Sequence, residues 1–145
     1  GKTTLLRLIA GLEKPDSGEI TVADRVSFMF QEDRLLPYST ARENIALVSD
    51  RKTSDRLLKE VGLENDGDKY PNELSGGMSR RVALARTLAF KSDLILLDEP
   101  FKGLDEATKS DIVKLLLKES ENRPIILVTH ERSEALSLNS EIIEL

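Results

Sequence analysis

The sequence predicts an α/β fold: a mostly parallel sheet flanked by helices, interrupted by a helical insertion. Three observations predict it. Leu94-Ile95-Leu96-Leu97 is a continuous apolar run, too short for a membrane span and suited to a strand covered on both faces. Pro124 to Val128 is a second such run, and a helical pattern lies between the two. From Asp33 to Tyr70 the spacing is mostly helical, with no strand–helix alternation.

Bulk properties bound the rest. The 145 residues suit one domain, residues 1–145, with a sizeable core. Hydrophobic residues make up 39% and charged residues 32%, and the formal net charge is -5. Acids and bases are interspersed, so no basic block points to nucleic acid. The absence of cysteine rules out a disulfide framework and a thiolate metal site. No apolar run approaches bilayer length and no secretory leader opens the sequence, so an intracellular protein is expected. Residue 1 is glycine and the only methionines are Met29 and Met78. The sequence is therefore expected to be a fragment or a processed piece, with the start of its first motif missing.

Gly1-Lys2-Thr3-Thr4 leads into Leu5, Leu6, Ile9 and Ala10 at helical spacing, and Gly11 is a natural stop. The pattern matches the second half of a phosphate-binding P-loop. Glycine lets the backbone approach phosphate oxygens, and helix-start N–H groups favour an anion. Lys2 suits the terminal phosphates, and the Thr3 hydroxyl suits magnesium. Alone, the four residues read first as a helix start with a glycine cap and a solvated lysine.

Pro15 to Gly18 make a turn. Glu19–Val22 and Arg25–Phe30 then read as two short strands, whose alternation suits half-buried antiparallel pairing. Gln31 follows, where a side-chain carbonyl can ligate magnesium; by itself it is a surface glutamine. Residues 41–47 and 54–61 carry helical apolar spacing, with Gly62 as a stop and Asn65-Asp66-Gly67 as a loop. Tyr38 and Tyr70 are expected to pack rather than to hold a ligand.

Leu74-Ser75-Gly76-Gly77-Met78 is the most distinctive run. Ser75 is a good helix N-cap, and the two glycines leave backbone N–H groups open, a second anion site at a helix start. Val82, Leu84, Ala85, Leu88 and Ala89 give the following helix its apolar face. The central apolar run ends in Asp98-Glu99-Pro100. Ligands sit outside the carboxyl ends of parallel strands, so the run delivers two acids to that edge. Such a pair can serve a magnesium ion and a water nucleophile; equally, it can be two solvated acids. Gly103-Leu104-Asp105 links to a helix running to about Ser120, with Asp105 as its cap. Thr129 and His130 close the next strand. Glu131–Leu136 reads as a helix and Glu141–Leu145 as a last strand.

Together these residues resemble the nucleotide-binding domain of ABC transporters, with five elements in the family's order. GKTT resembles the end of Walker A and Gln31 the Q-loop. LSGGM resembles the signature motif, with Arg81 at the arginine that follows it. LILLDEP resembles Walker B, Gly103-Leu104-Asp105 the D-loop, and His130 the switch histidine. The run QEDRLLP with LSGGM also resembles importers of the nitrate, sulfonate and taurine group. Met78 stands where glutamine is commoner.

The resemblance implies a P-loop NTPase fold, with a helical subdomain of about residues 37–90 that carries the signature. It implies ATP and Mg2+ as ligands. Gly1, Lys2, Thr3 and Thr4 would hold phosphate, and Thr3, Gln31 and Asp98 would serve the magnesium. Glu99 would polarise the attacking water and His130 would stabilise the γ-phosphate. Ser75, Gly76, Gly77, Met78 and Asp105 would complete the site of a second copy. The implied setting is the cytoplasmic face of the cell membrane. The implied partners are a second or paired ATPase subunit, transmembrane permease subunits and a solute-binding protein, with no nucleic acid. Most P-loop N–H groups would precede Gly1, so the 145 residues alone are expected to be inactive. Two alternatives stand beside this reading. One is a non-transport ATPase of the superfamily, which would carry a long coiled coil between Gln31 and Leu74. The other is a regulatory nucleotide-binding module, which would lack an acid such as Glu99.

Overall fold

The computed structural model describes residues 1–143. Its centre is a three-stranded parallel sheet in the order β1-β2-β3, formed by Val26–Met29, Leu94–Asp98 and Ile125–Val128. Val26 lies opposite Leu94, and Ile95 opposite Ile125. All of β2 is buried. Ile95 and Leu97 belong to the main core, while Leu94 and Leu96 belong to a second cluster with Leu6. A strand covered on both faces needs no polar alternation, which is why its sequence reads as one apolar run. Each of these side chains contributes on the order of 1.5–3 kcal/mol by burial.

Six helices surround the sheet: α1 (Lys2–Ile9), α2 (Ala41–Ala46), α3 (Arg51–Glu60), α4 (Gly76–Ala89), α5 (Glu106–Ser120) and α6 (Arg132–Ser137). Helix α1 covers one face through Leu6. Helices α2 to α5 build the other, through Ile45, Leu57, Leu84 and Ile112. Local chemistry sets their starts. Thr40 and Glu43 form a reciprocal capping box on α2. Asp50, Ser75 and Asp105 accept the backbone N–H of Thr53, Met78 and Thr108. Gly62, at φ +69°, ends α3 in the left-handed region.

Four expectations are corrected. Residues 19–22 form no strand, and Ile20 and Val22 are exposed. Val26–Met29 pairs parallel with β2, not antiparallel with the preceding segment. The helical crossover from β1 to β2 brings both strands in from the same end. Its alternation also misled: Ser27 and Met29 enter the main core, while Val26 and Phe28 pack on the α1 side. Tyr38 is 93% exposed and Tyr70 45%, so neither is a core residue; both stand in or beside turns. Residues 141–143 are irregular, and the remainder of the expected last strand lies outside the described residues.

The Asp50 cap gives a stability test. Hydrogen bonds from Thr53, backbone first, hold the Asp50 carboxyl below its ordinary value of 3.8. A depressed native pKa stabilises above 3.8 and loses that stabilisation as pH falls through the native value. Asp50→Ala should therefore lower Tm at pH 7, and the gap to the parent should close progressively below pH 3.8. Thermal unfolding of both proteins across pH checks this; a constant gap refutes it.

Candidate functional site

The carboxyl edge of the sheet gathers four chain segments. Helix α1 begins beside it, and β1, β2 and β3 deliver Gln31, Asp98-Glu99 and His130. They line a cleft of about 310 Å³. Gly1, Lys2, Thr3 and Thr4 form one wall; Gln31, Asp98, Glu99, Val128 and His130 form the other.

The contacts are specific. Thr3 Oγ1 donates to Asp98 Oδ2 at 2.7 Å, across 95 residues of chain. Asp98 is buried, at 2% exposure. Lys2 Nζ reaches the Thr129 carbonyl at 3.4 Å. Glu99 sits at φ +53°, a left-handed conformation that costs a non-glycine residue about 1–3 kcal/mol. Its N–H is tied to the Val128 carbonyl at 2.9 Å. Its Oε1 is buried without a hydrogen bond, 3.2 Å from His130 Nε2. Burial pushes the Glu99 carboxyl above the ordinary carboxylate range, against the pull of His130. That makes Glu99 a better proton acceptor than a solvated glutamate.

His130 itself is exposed, and the turn behind it is fastened. The Glu131 N–H donates to Thr129 Oγ1 at 3.0 Å, and that hydroxyl donates to Glu134. Lys109 of α5 pairs with Glu131 at 3.3 Å and Glu134 at 3.2 Å. Hydrogen bonding to Glu134 is the main cause of a raised Lys109 pKa.

The donor set suits a magnesium ion. Thr3 and Asp98 converge, and among the described residues no group of three or more His, Cys, Asp or Glu forms a closed metal cage. A magnesium ion keeps water and phosphate oxygens and takes only one or two protein ligands.

Ser75, Gly76, Gly77, Met78 and Asp105 do not line this cleft. Ser75 and Gly76 are exposed. Gly77 packs on the Gly103–Asp105 link: a Cβ there would stand 3.1 Å from the Gly103 carbonyl. Asp105 spends its carboxylate on Thr108 N and Oγ1. A larger cleft of about 490 Å³ between α3 and α5 contains none of the motif residues except Arg81. Arg81 caps α3 through the Val61 and Gly62 carbonyls. The arginine that reaches the site is Arg80, which sequence reasoning passed over. Its signal was legible: it lies four residues before Leu84, on the buried stripe of α4, where a charge must be fully paired.

A helix-start lysine and threonine facing an Asp–Glu pair at the carboxyl edge of a parallel sheet are the arrangement of a P-loop NTPase-like fold. The family model for ABC transporters matches residues 1–102, and the chain belongs to that family. The aliphatic sulfonates import ATP-binding protein SsuB 3 of Paraburkholderia xenovorans is 48% identical over 151 residues, covering 99% of this chain and 60% of that protein. The nitrate import ATP-binding protein NrtC of Synechococcus elongatus is 41% identical, covering 100% of this chain and 25% of that one. The dimeric ATP-binding cassette MJ0796, bound to ADP and Pi in a post-hydrolysis state, superposes with a TM-score of 0.87 at 34% identity. That match covers 94% of this chain and 73% of MJ0796. The chain spans about 60% of the length of the first SsuB relatives it matches.

Proposed function

We propose that the chain is the ATP-binding and ATP-hydrolysing part of an ABC importer, acting at the cytoplasmic face of the cell membrane. One observation carries the reading: Lys2, Thr3, Gln31, Asp98, Glu99 and His130 share one cleft, while Ser75 and Gly76 at the start of α4 stand exposed elsewhere. Relatives named for sulfonate and nitrate import support the direction of transport. Partners under this reading are a second copy or paired ATPase subunit, transmembrane permease subunits and a solute-binding protein. Among the described residues no helix is long and apolar enough to cross a membrane.

Lys2 and the N–H groups at the start of α1 hold the β- and γ-phosphates. Thr3, Asp98 and Gln31 would hold magnesium, which when bound would supply charge neutralisation on the terminal phosphates. Glu99 orients a water and accepts its proton as oxygen attacks the γ-phosphorus. The bond to ADP breaks in line, and His130 holds the γ-phosphate oxygens as charge moves. Ser75, Gly76, Gly77 and Met78 act on ATP held by a second copy, with Asp105 at the seam between them. The residues contribute positioning and electrostatics, with no covalent intermediate.

The test is phosphate release from magnesium-ATP by the purified protein carrying a complete P-loop, since the 145 residues alone are expected to be inactive. Turnover that EDTA abolishes is the expected result. Nucleotide binding without turnover, with Glu99 intact, would favour a regulatory module instead.

A further inference from the structure

Arg80 is 3% exposed, and its guanidinium is the most heavily used donor group near the site. Nη1 donates to the Phe30 carbonyl at 2.8 Å, the Gln31 carbonyl at 3.1 Å and Asp33 Oδ1 at 2.9 Å. On the other arm, Nε and Nη2 donate to the Glu99 carbonyl at 3.1 and 2.8 Å, and Nη2 also donates to the Asp98 carbonyl. Five acceptors from two segments thus meet one rigid fork. A lysine, with a compact three-donor head, cannot span them.

The acceptors are not arbitrary. Asp98 and Glu99 form the corner where the chain turns into the left-handed region at Glu99. That corner aims the Glu99 carboxylate into the cleft, and a peptide carbonyl turned inward there needs a buried donor. Phe30 and Gln31 are the step from β1 to the Gln31 side chain. Arg80 itself lies one turn along the helix that Ser75 caps. Arg86, further along α4, fastens the same β1 exit through the Asp33 and Arg34 carbonyls. So α4 holds the Gln31 segment at several points, but only Arg80 also holds Glu99.

We propose that Arg80 is a positioning residue that locks the start of α4, the Gln31 segment and the Asp98–Glu99 corner into one unit, so that a shift in any of them is passed to the water-activating carboxylate. The proposal rests on the ATPase reading for its kinetic consequence, but its structural half can be tested without turnover.

The experiment compares the parent with Arg80→Lys, Asp33→Ala and a control, Arg123→Lys. Arg123 is a comparable guanidinium clamp, on the Leu88 and Phe90 carbonyls and Glu119, with no contact to these segments. In the purified protein without nucleotide, the amide nitrogen NMR signals of Gln31, Glu32 and Glu99 should all move in Arg80→Lys. Each of these nitrogens is joined to a carbonyl that Arg80 holds. They should stay in place in Arg123→Lys. Asp33→Ala removes only the charged acceptor on the far arm, so it guards against misfolding of Arg80→Lys. It should still move the Glu99 signal. With magnesium-ATP, kcat of Arg80→Lys should fall about tenfold or more while Kd changes less than about twofold. A Glu99 signal that ignores both Arg80→Lys and Asp33→Ala overturns the coupling. So does an Arg80→Lys enzyme whose kcat falls no further than that of Arg123→Lys. A parent carrying a complete P-loop that still releases no phosphate overturns the ATPase reading instead, and the NMR comparison then still decides for or against Arg80.

Discussion

Glu99→Gln should lower the turnover of ATP by about a hundredfold or more, roughly 2.7 kcal/mol of transition-state stabilisation, while leaving magnesium-ATP binding intact. The argument is local. Glutamine matches glutamate in size, so the corner at φ +53°, the N–H bond to the Val128 carbonyl and the Arg80 contacts all survive. What is lost is a proton acceptor whose pKa burial has raised. Under the proposed function, phosphate contacts come from Lys2 and the α1 start, which the change does not touch, and the Thr3–Asp98 pair is left whole. Single-turnover phosphate release and nucleotide titration separate the two quantities. Turnover near that of the parent would remove Glu99 from the chemical step. Weakened binding with unchanged turnover would make it a ligand-binding group.

Much of this site was legible in the sequence, for a physical reason. Residues that meet phosphate or magnesium need particular functional groups at fixed offsets from a strand end or helix start. Gly1-Lys2-Thr3, Asp98-Glu99 and His130 therefore stand out in one dimension, and each is found at the cleft. The central strand was legible because Leu94 to Leu97 are buried on both faces. The same double burial hid the nature of β1. Residues Val26 to Met29 alternate between two cores rather than between core and water, so their pattern imitated an exposed antiparallel strand. Arg80 was hidden differently. Its acceptors are backbone carbonyls at positions 30, 31, 98 and 99, and a carbonyl carries no side-chain identity to read. Only the placement of a charge on the buried face of α4 betrayed it. The pairing of Lys109 with Glu131 and Glu134, behind His130, was equally silent, because these residues meet across the fold and not along a helix.

Mixing a Lys2→Ala protein with a Gly76→Asp protein should restore activity that neither has alone. Lys2 lines the cleft with Thr3 and Asp98, whereas Gly76 is exposed and outside it. If each ATP lies between the cleft of one copy and the α4 start of another, each mutation harms a different half of every site. Lys2→Ala removes the cation proposed to hold the terminal phosphates. Gly76→Asp sets a carboxylate where open N–H groups should meet phosphate, and like charges repel across a dry interface. The fold should tolerate both. A Cβ at Gly76 meets nothing within 4 Å, and an acid in the first turn of α4 suits the helix dipole. Each homodimer then has two damaged sites. In a mixed dimer, one site collects both lesions and the other has neither. Random pairing makes half of all dimers mixed, so an equal mixture should recover about a quarter of the parent's activity if the sites work independently. Phosphate release by the two proteins, separately and after mixing, measures this directly. A mixture as inactive as its components would place the action of Gly76 within its own chain rather than across a dimer.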